Sequence, residues 1–150
     1  MQTTYGRTEN MATEAVVDSS IVVALVTPEE RSEWADKGVR KYKRLYTPDL
    51  AYCEAANAIL SKFKEKKISK EQAADAIRDA VDFINKEEIL PISDIIDAAY
   101  KIAADNGITT YDSAYMALAD KLGANFITLD GKLTRRLSGT AYHRLFDSPE

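Results

Sequence analysis

Short apolar runs alternate along this chain with longer stretches of helical spacing, and that alternation restricts the fold more than any other feature. The first run, Glu14-Ala15-Val16-Val17, ends abruptly at Asp18. Leu45-Tyr46-Thr47 makes a second, stopped by Pro48, and Ile89-Leu90-Pro91-Ile92 a third. Phe126-Ile127-Thr128-Leu129 is a fourth, ending at Asp130, and residues 142–146 make a last. Runs of this length read as buried strands. Strands separated by helices are joined by crossovers rather than tight hairpins, so the sheet is expected to be parallel and covered on both faces. The expected fold class is therefore α/β, with three layers (α/β/α) and a central parallel sheet of about five strands.

The segments between the strands carry helix signals. Ser19 and Ser20 can cap residues 21–26. Thr27-Pro28-Glu29-Glu30 offers a Thr cap, a proline at the first helical position and a glutamate for a capping box, so a helix is predicted to start there. Ala51, Ala55, Ile59 and Phe63 recur at helical spacing within residues 50–66. Ser69 with Gln72 predicts a capping box ahead of a helix carrying Ala73, Ala76, Ile77, Ala80, Val81 and Ile84. Ser93 is expected to cap a helix that runs to Gly107, Thr110 to start one closed by Gly123, and residues 131–139 to allow a short one. Residues 1–11 are polar and aperiodic. They are expected to be a disordered lead-in, with Met11 a candidate start, and residues 12–150 to form a single domain.

Length agrees, since 150 residues suit one domain. Cys53 is the sole cysteine, which excludes an intramolecular disulfide and a zinc ribbon and suits a reducing compartment. No apolar run approaches a membrane span, so a cytoplasmic setting is expected. The net charge of −4 argues at first against a nucleic-acid partner. Its distribution says otherwise: residues 31–70 hold 11 basic and 5 acidic side chains, residues 71–130 only 4 basic and 12 acidic.

Functional groups of open α/β sheets gather outside the carboxyl ends of the strands. Asp18 and Asp130 each end an apolar run, while Glu54 and Asp112 fall near helix starts. Each acid alone is an ordinary cap or turn residue. The set is more specific. Val16-Val17-Asp18-Ser19-Ser20, then Pro48-Asp49-Leu50 with Glu54 and Asn57 beyond it, then Thr110-Tyr111-Asp112-Ser113-Ala114-Tyr115 followed by Ala117-Leu118-Ala119, then Ile127-Thr128-Leu129-Asp130 resembles the PIN-domain ribonucleases. Among them the chain is most similar to the VapC-like toxins of type II toxin–antitoxin pairs. The resemblance runs from residue 15 to about residue 146 and is most specific over residues 111–119.

That resemblance implies a PIN-like fold in which Asp18, Glu54, Asp112 and Asp130 are both the catalytic and the metal-binding acids. It implies Mg²⁺ or Mn²⁺ as cofactor and an endoribonuclease that hydrolyses RNA phosphodiester bonds to a 5′-phosphate and a 3′-hydroxyl. The implied partners are RNA, a cognate antitoxin protein and a second copy of the chain, with no membrane. Elementary electrostatics favours a cation in such a cluster. Two carboxylates ~4 Å apart repel by about 4 kcal/mol at an effective dielectric near 20, and a hard divalent ion with a preference for oxygen ligands removes the conflict. With one histidine in the chain, a mechanism using two imidazoles is excluded.

Supporting residues follow from spacing. Asn57 lies three residues after Glu54, on the same helical face, where its amide can orient the carboxylate. Ser20 and Thr128 lie two residues from Asp18 and Asp130, within reach of a carboxylate or a metal-bound water, or they simply cap and pack. Tyr115, Leu118, Ala119 and Leu122 form a packing stripe, and His143 in the last strand is expected to be structural. Arg40, Lys41, Lys43 and Arg44, then Lys62 and Lys64, then Arg135 and Arg136 are candidate phosphate contacts, or else solvated helix faces. The first two clusters flank the region carrying Glu54 and are expected to rim the acidic centre. Two alternatives stand beside the toxin: a housekeeping PIN nuclease of ribosomal RNA maturation or RNA decay, and a non-catalytic PIN scaffold that binds RNA or protein.

Overall fold

In the computed structural model, which describes residues 12–149, five strands form one sheet. They are β1 (Glu14–Val17), β2 (Arg44–Pro48), β3 (Glu88–Leu90), β4 (Asn125–Ile127) and β5 (Phe146–Asp147). Every pair is parallel and the order is β3-β2-β1-β4-β5. The chain therefore winds outward from β1 through β2 to β3, then crosses back to lay β4 on the other side of β1. Val16 is level with Tyr46 on β2 and with Phe126 on β4, and Val17 with Ile127. Ala15, Val16 and Val17 are wholly buried, as a central parallel strand covered on both faces requires. The expected lead-in at 1–11 lies outside the described residues.

Among the described residues seven helices surround the sheet: α1 (Ser19–Val26), α2 (Ser32–Arg40), α3 (Ala51–Lys64), α4 (Lys70–Asn85), α5 (Ile96–Asn106), α6 (Thr110–Leu122) and α7 (Gly131–Arg136). The capping box of Ser69 and Gln72 is formed, and Gly107 and Gly123 close α5 and α6 in the left-handed conformation at φ 65°. The most buried helix, α6, packs on β1, β2 and β4 and keeps residues 113–119 out of solvent. None of the helices among the described residues is long and apolar enough to cross a membrane.

Four local expectations need correction. The cap of α1 is Asp18, whose carboxylate accepts from the backbone N–H of Ser20 and Ile21, while Ser19 and Ser20 are the first helical residues. Thr27 does not open a helix. Its hydroxyl donates backward to the Val23 carbonyl at 2.8 Å, and its extended backbone, which suits a residue before proline, ends α1. The next helix, α2, begins at Ser32, whose hydroxyl accepts from the Glu29 N–H at 2.9 Å. Ser93 falls in a 3₁₀ turn (Ile92–Asp94) before α5 rather than capping it. Residues Ala141–Leu145 are a 3₁₀ turn started by Thr140, whose hydroxyl accepts from the Tyr142 N–H, so the last strand is only Phe146–Asp147 and His143 lies ahead of it.

Candidate active site

In a parallel α/β sheet a helix that follows a strand starts at the carboxyl edge, and the winding reverses between β1 and β4 at that same edge. Four helix N-termini meet there, and each brings an acid. Asp18 caps α1 directly after β1, and Asp130 caps α7 three residues after β4, accepting from the Leu133 N–H at 3.0 Å. Glu54 is in the first turn of α3 and Asp112 in the first turn of α6, where the Thr109 hydroxyl accepts from the Asp112 N–H at 3.1 Å. The positive end of a helix dipole favours a carboxylate at each of these positions.

Asp18 is the most enclosed of the four, at 7% exposure. Oδ1 accepts from the Ser20 hydroxyl at 2.5 Å and the Ser20 N–H at 3.0 Å, and Oδ2 accepts from the Thr128 hydroxyl at 2.5 Å. Both hydroxyls reach onward to the β4–α7 segment. The Thr128 oxygen accepts from the Asp130 N–H and the Ser20 oxygen from the Leu129 N–H, each at 3.0 Å. Ser20 and Thr128 thus stitch the end of β1 to the loop carrying Asp130. Burial pushes the Asp18 carboxyl up to about 6 in spite of these bonds.

The acids sense one another. Glu54 is raised chiefly by burial, against the lowering effect of its Tyr115 hydrogen bond, and further by the charges of Asp112 and Asp18. Asp112 is raised by burial and then by Asp130. This mutual repulsion links all four into one electrostatic unit. Among the described residues no three His, Cys, Asp or Glu side chains already stand together as a metal cage. The donor chemistry nonetheless fits a hard cation, since four carboxylates share one edge and the charges of their neighbours raise Glu54 and Asp112.

Tyr115 is the site residue that spacing missed. Periodicity assigns it to the packing stripe, and its ring is indeed buried at 2% exposure. Its hydroxyl, however, donates to Glu54 Oε1 at 2.5 Å. The available signal was chemical: a buried tyrosine needs a partner for its hydroxyl, where phenylalanine would need none. Asn57 lies on the same side of α3 as Glu54, exposed, and the two line an open groove with Cys53, Ala56, Leu60 and Tyr111. Phe63, expected in the apolar stripe of α3, is 39% exposed.

The basic clusters do not all reach the acids. Arg44 is the first residue of β2 and pairs with Glu14, the first of β1, so residues 40–44 enter the sheet at its amino edge, opposite Asp18. Arg40 pairs with Asp36 at 3.1 Å and Lys41 with Asp147 at 3.0 Å. Lys62 and Lys64 lie in the last turn of α3, at ~1.5 Å per residue about 12–15 Å along the helix from Glu54, and Lys62 is bound to Glu29 at 2.9 Å. Only Arg135 and Arg136, in the last turn of the helix that Asp130 caps, stay near the acidic edge.

Comparison with known proteins agrees with this arrangement. The PIN domain family matches residues 15–137. The chain is 34% identical over 121 residues to Ribonuclease VapC3 of Pyrobaculum aerophilum, covering 81% of this chain and 92% of that one. It is 26% identical over 129 residues to Exonuclease VapC9 of the same organism, covering 86% and 90%. A toxin–antitoxin complex from Klebsiella pneumoniae has the same fold, with a TM-score of 0.63 at 14% identity over 91% of this chain and 98% of that one. With its five-stranded parallel sheet and its acids at the carboxyl edge, the chain belongs to the PIN-domain family, alongside the VapC proteins.

Proposed function

We propose that the protein is a divalent-metal-dependent endoribonuclease and the toxin of a toxin–antitoxin pair, with Asp18, Glu54, Asp112 and Asp130 as its metal-binding and catalytic acids. One observation carries the reading: four carboxylates on four helix N-termini share one edge of the sheet, close enough that Asp112 and Asp18 raise Glu54 and Asp130 raises Asp112. An uncompensated cluster of that kind costs stability and serves no packing purpose, whereas a hard cation makes it favourable. The relatives named as a ribonuclease and an exonuclease supply the substrate class.

The four acids would hold Mg²⁺ or Mn²⁺, which when bound polarises a phosphoryl oxygen and acidifies a bound water. The chain's own residues do the rest. Ser20 and Thr128 lock both oxygens of Asp18 and tie it to the Asp130 loop, so the two acids at the reversal point move as one. Asp130 and Asp112 are fixed by helix starts, and Asn57 lines the groove through which a strand of RNA can approach Glu54. Arg135 and Arg136 are placed to meet backbone phosphates beside Asp130. An antitoxin partner is supported by the fold shared with a toxin–antitoxin complex, and a cytoplasmic homodimer completes the proposal.

The deciding experiment offers a circular and a linear RNA to the wild type, Asp18→Asn and Asp112→Asn, with Mg²⁺, Mn²⁺ or EDTA. The expected result is cleavage of both RNAs by the wild type alone, abolished by EDTA. Equal activity in all three proteins refutes the assignment of the acids. Cleavage confined to linear RNA favours the second reading, an exonuclease, for which the similarity to VapC9 is the supporting observation.

A further inference from the structure

We propose that Tyr115 is a positioning residue that restricts Glu54 to ligation through a single oxygen, and thereby sets the preference of the site for small octahedral cations over calcium. The proposal rests on the metal-dependent reading above.

The geometry around the Tyr115 hydroxyl leaves it little freedom. The ring lies nearly parallel to that of Phe126 on β4, with centroids 6.0 Å apart and planes at 11°. Phe126 is in turn held edge-on by Phe146 of β5 at 5.1 Å. A rotamer change would have to break this stack, in which the Tyr115 and Phe126 rings are both buried, so the hydroxyl stays where the sheet puts it. There it donates its single proton to Glu54 Oε1 at 2.5 Å.

A hydroxyl this close draws charge from Oε1 and occupies its space, which leaves Oε2 as the oxygen Glu54 offers to a cation. Mg²⁺ demands near-ideal octahedral geometry, and Mn²⁺ suits the same oxygen sets, so carboxylates that each give one oxygen serve them well. Ca²⁺ takes 6–8 oxygens and often recruits both oxygens of a carboxylate. Deleting the Tyr115 hydroxyl frees Oε1 and opens that second mode.

The test is calorimetric titration of wild type and Tyr115→Phe with Mn²⁺ and, separately, with Ca²⁺. Phenylalanine keeps the ring stack and removes only the hydroxyl. The expected result is a loss of Mn²⁺ affinity of about tenfold, the size usual for losing a group that orients a metal ligand, with Ca²⁺ affinity unchanged or increased. Affinities that both stay the same, or fall by a common factor, overturn the proposal, because a purely structural role moves the two ions together. A wild type that binds no Mn²⁺ overturns the metal-dependent reading and this inference with it, whereas a wild type that binds Mn²⁺ beside a Tyr115→Phe with an unchanged ratio overturns only the inference. Should Tyr115→Phe not fold, Glu54→Gln carries the test, because glutamine offers a cation one oxygen, as the tethered Glu54 does: Mn²⁺ and Ca²⁺ affinities that fall by a common factor support the proposal, and a Ca²⁺ affinity that falls disproportionately, as the loss of a two-oxygen ligand requires, overturns it.

Discussion

Replacing Asp18 by asparagine is expected to stabilise the metal-free protein at neutral pH while removing one of the proposed metal-binding acids. The carboxyl is almost fully enclosed, and burial carries it from 3.8 to about 6. Each pKa unit is worth about 1.4 kcal/mol, so keeping this group ionised in the fold costs about 3 kcal/mol as an upper limit. The sign follows from linkage. Between pH 3.8 and about 6 the folded protein binds more protons at this group than the unfolded chain does, so its stability falls as pH rises. The full cost is present above about pH 6 and vanishes below 3.8. Asparagine carries no charge, keeps an acceptor for the Ser20 and Ile21 N–H groups, and lets the Thr128 hydroxyl accept in place of donating. The gain is thus expected at roughly 1–3 kcal/mol after imperfect hydrogen bonding is subtracted. Urea denaturation in EDTA at pH 7.5 and at pH 4.5 is the assay, with the difference between variant and wild type shrinking at the lower pH. A variant less stable than wild type at pH 7.5, or a difference that ignores pH, would refute the reasoning.

Two further predictions concern other buried polar groups. Thr128→Val removes the hydroxyl that joins Asp18 Oδ2 to the Asp130 N–H, and is expected to cost about 1–3 kcal/mol and to lower RNA cleavage; chemical denaturation with no loss would contradict it. Glu87, between α4 and β3, has both carboxyl oxygens buried without a hydrogen-bond partner among the described residues, and burial pushes it up to about 8. Its folded form favours the proton, so stability is expected to decline as pH rises from 4.5 to about 8 and to level off above that, and Glu87→Gln to abolish that decline in melting curves taken from pH 5 to 9.

What the sequence discloses and what it conceals follow from the same physics. The strand–helix alternation was legible because buried parallel strands must be nearly continuous apolar runs, as Ala15-Val16-Val17 shows. Ser69 with Gln72 was legible because a capping box is entirely local. Thr27 was not, because a hydroxyl can turn back to residue 23 as readily as forward, and nothing in the four residues after it decides. The basic clusters misled because distance along a helix is distance in space. Lys62 and Lys64 are sequence neighbours of Glu54, yet α3 carries them away from the carboxyl edge where it begins. Tyr115 hid within its own stripe, since periodicity reports where a ring packs and is silent on what the atom at its tip will touch.

The hydrogen bond from Thr128 to Asp18 spans 110 residues, and β4 closes on β1 only after β2 and β3 have been laid on its other side. A ribosome synthesising this chain therefore exposes Asp18 long before the residues that complete its surroundings exist. No shorter nascent segment contains the four acids, so on the proposed assignment an incomplete chain would have no means of cutting the RNA around it. If those acids are the catalytic ones, the winding order of the sheet works as a timer, which withholds activity until residue 130 has left the tunnel and the fold has closed.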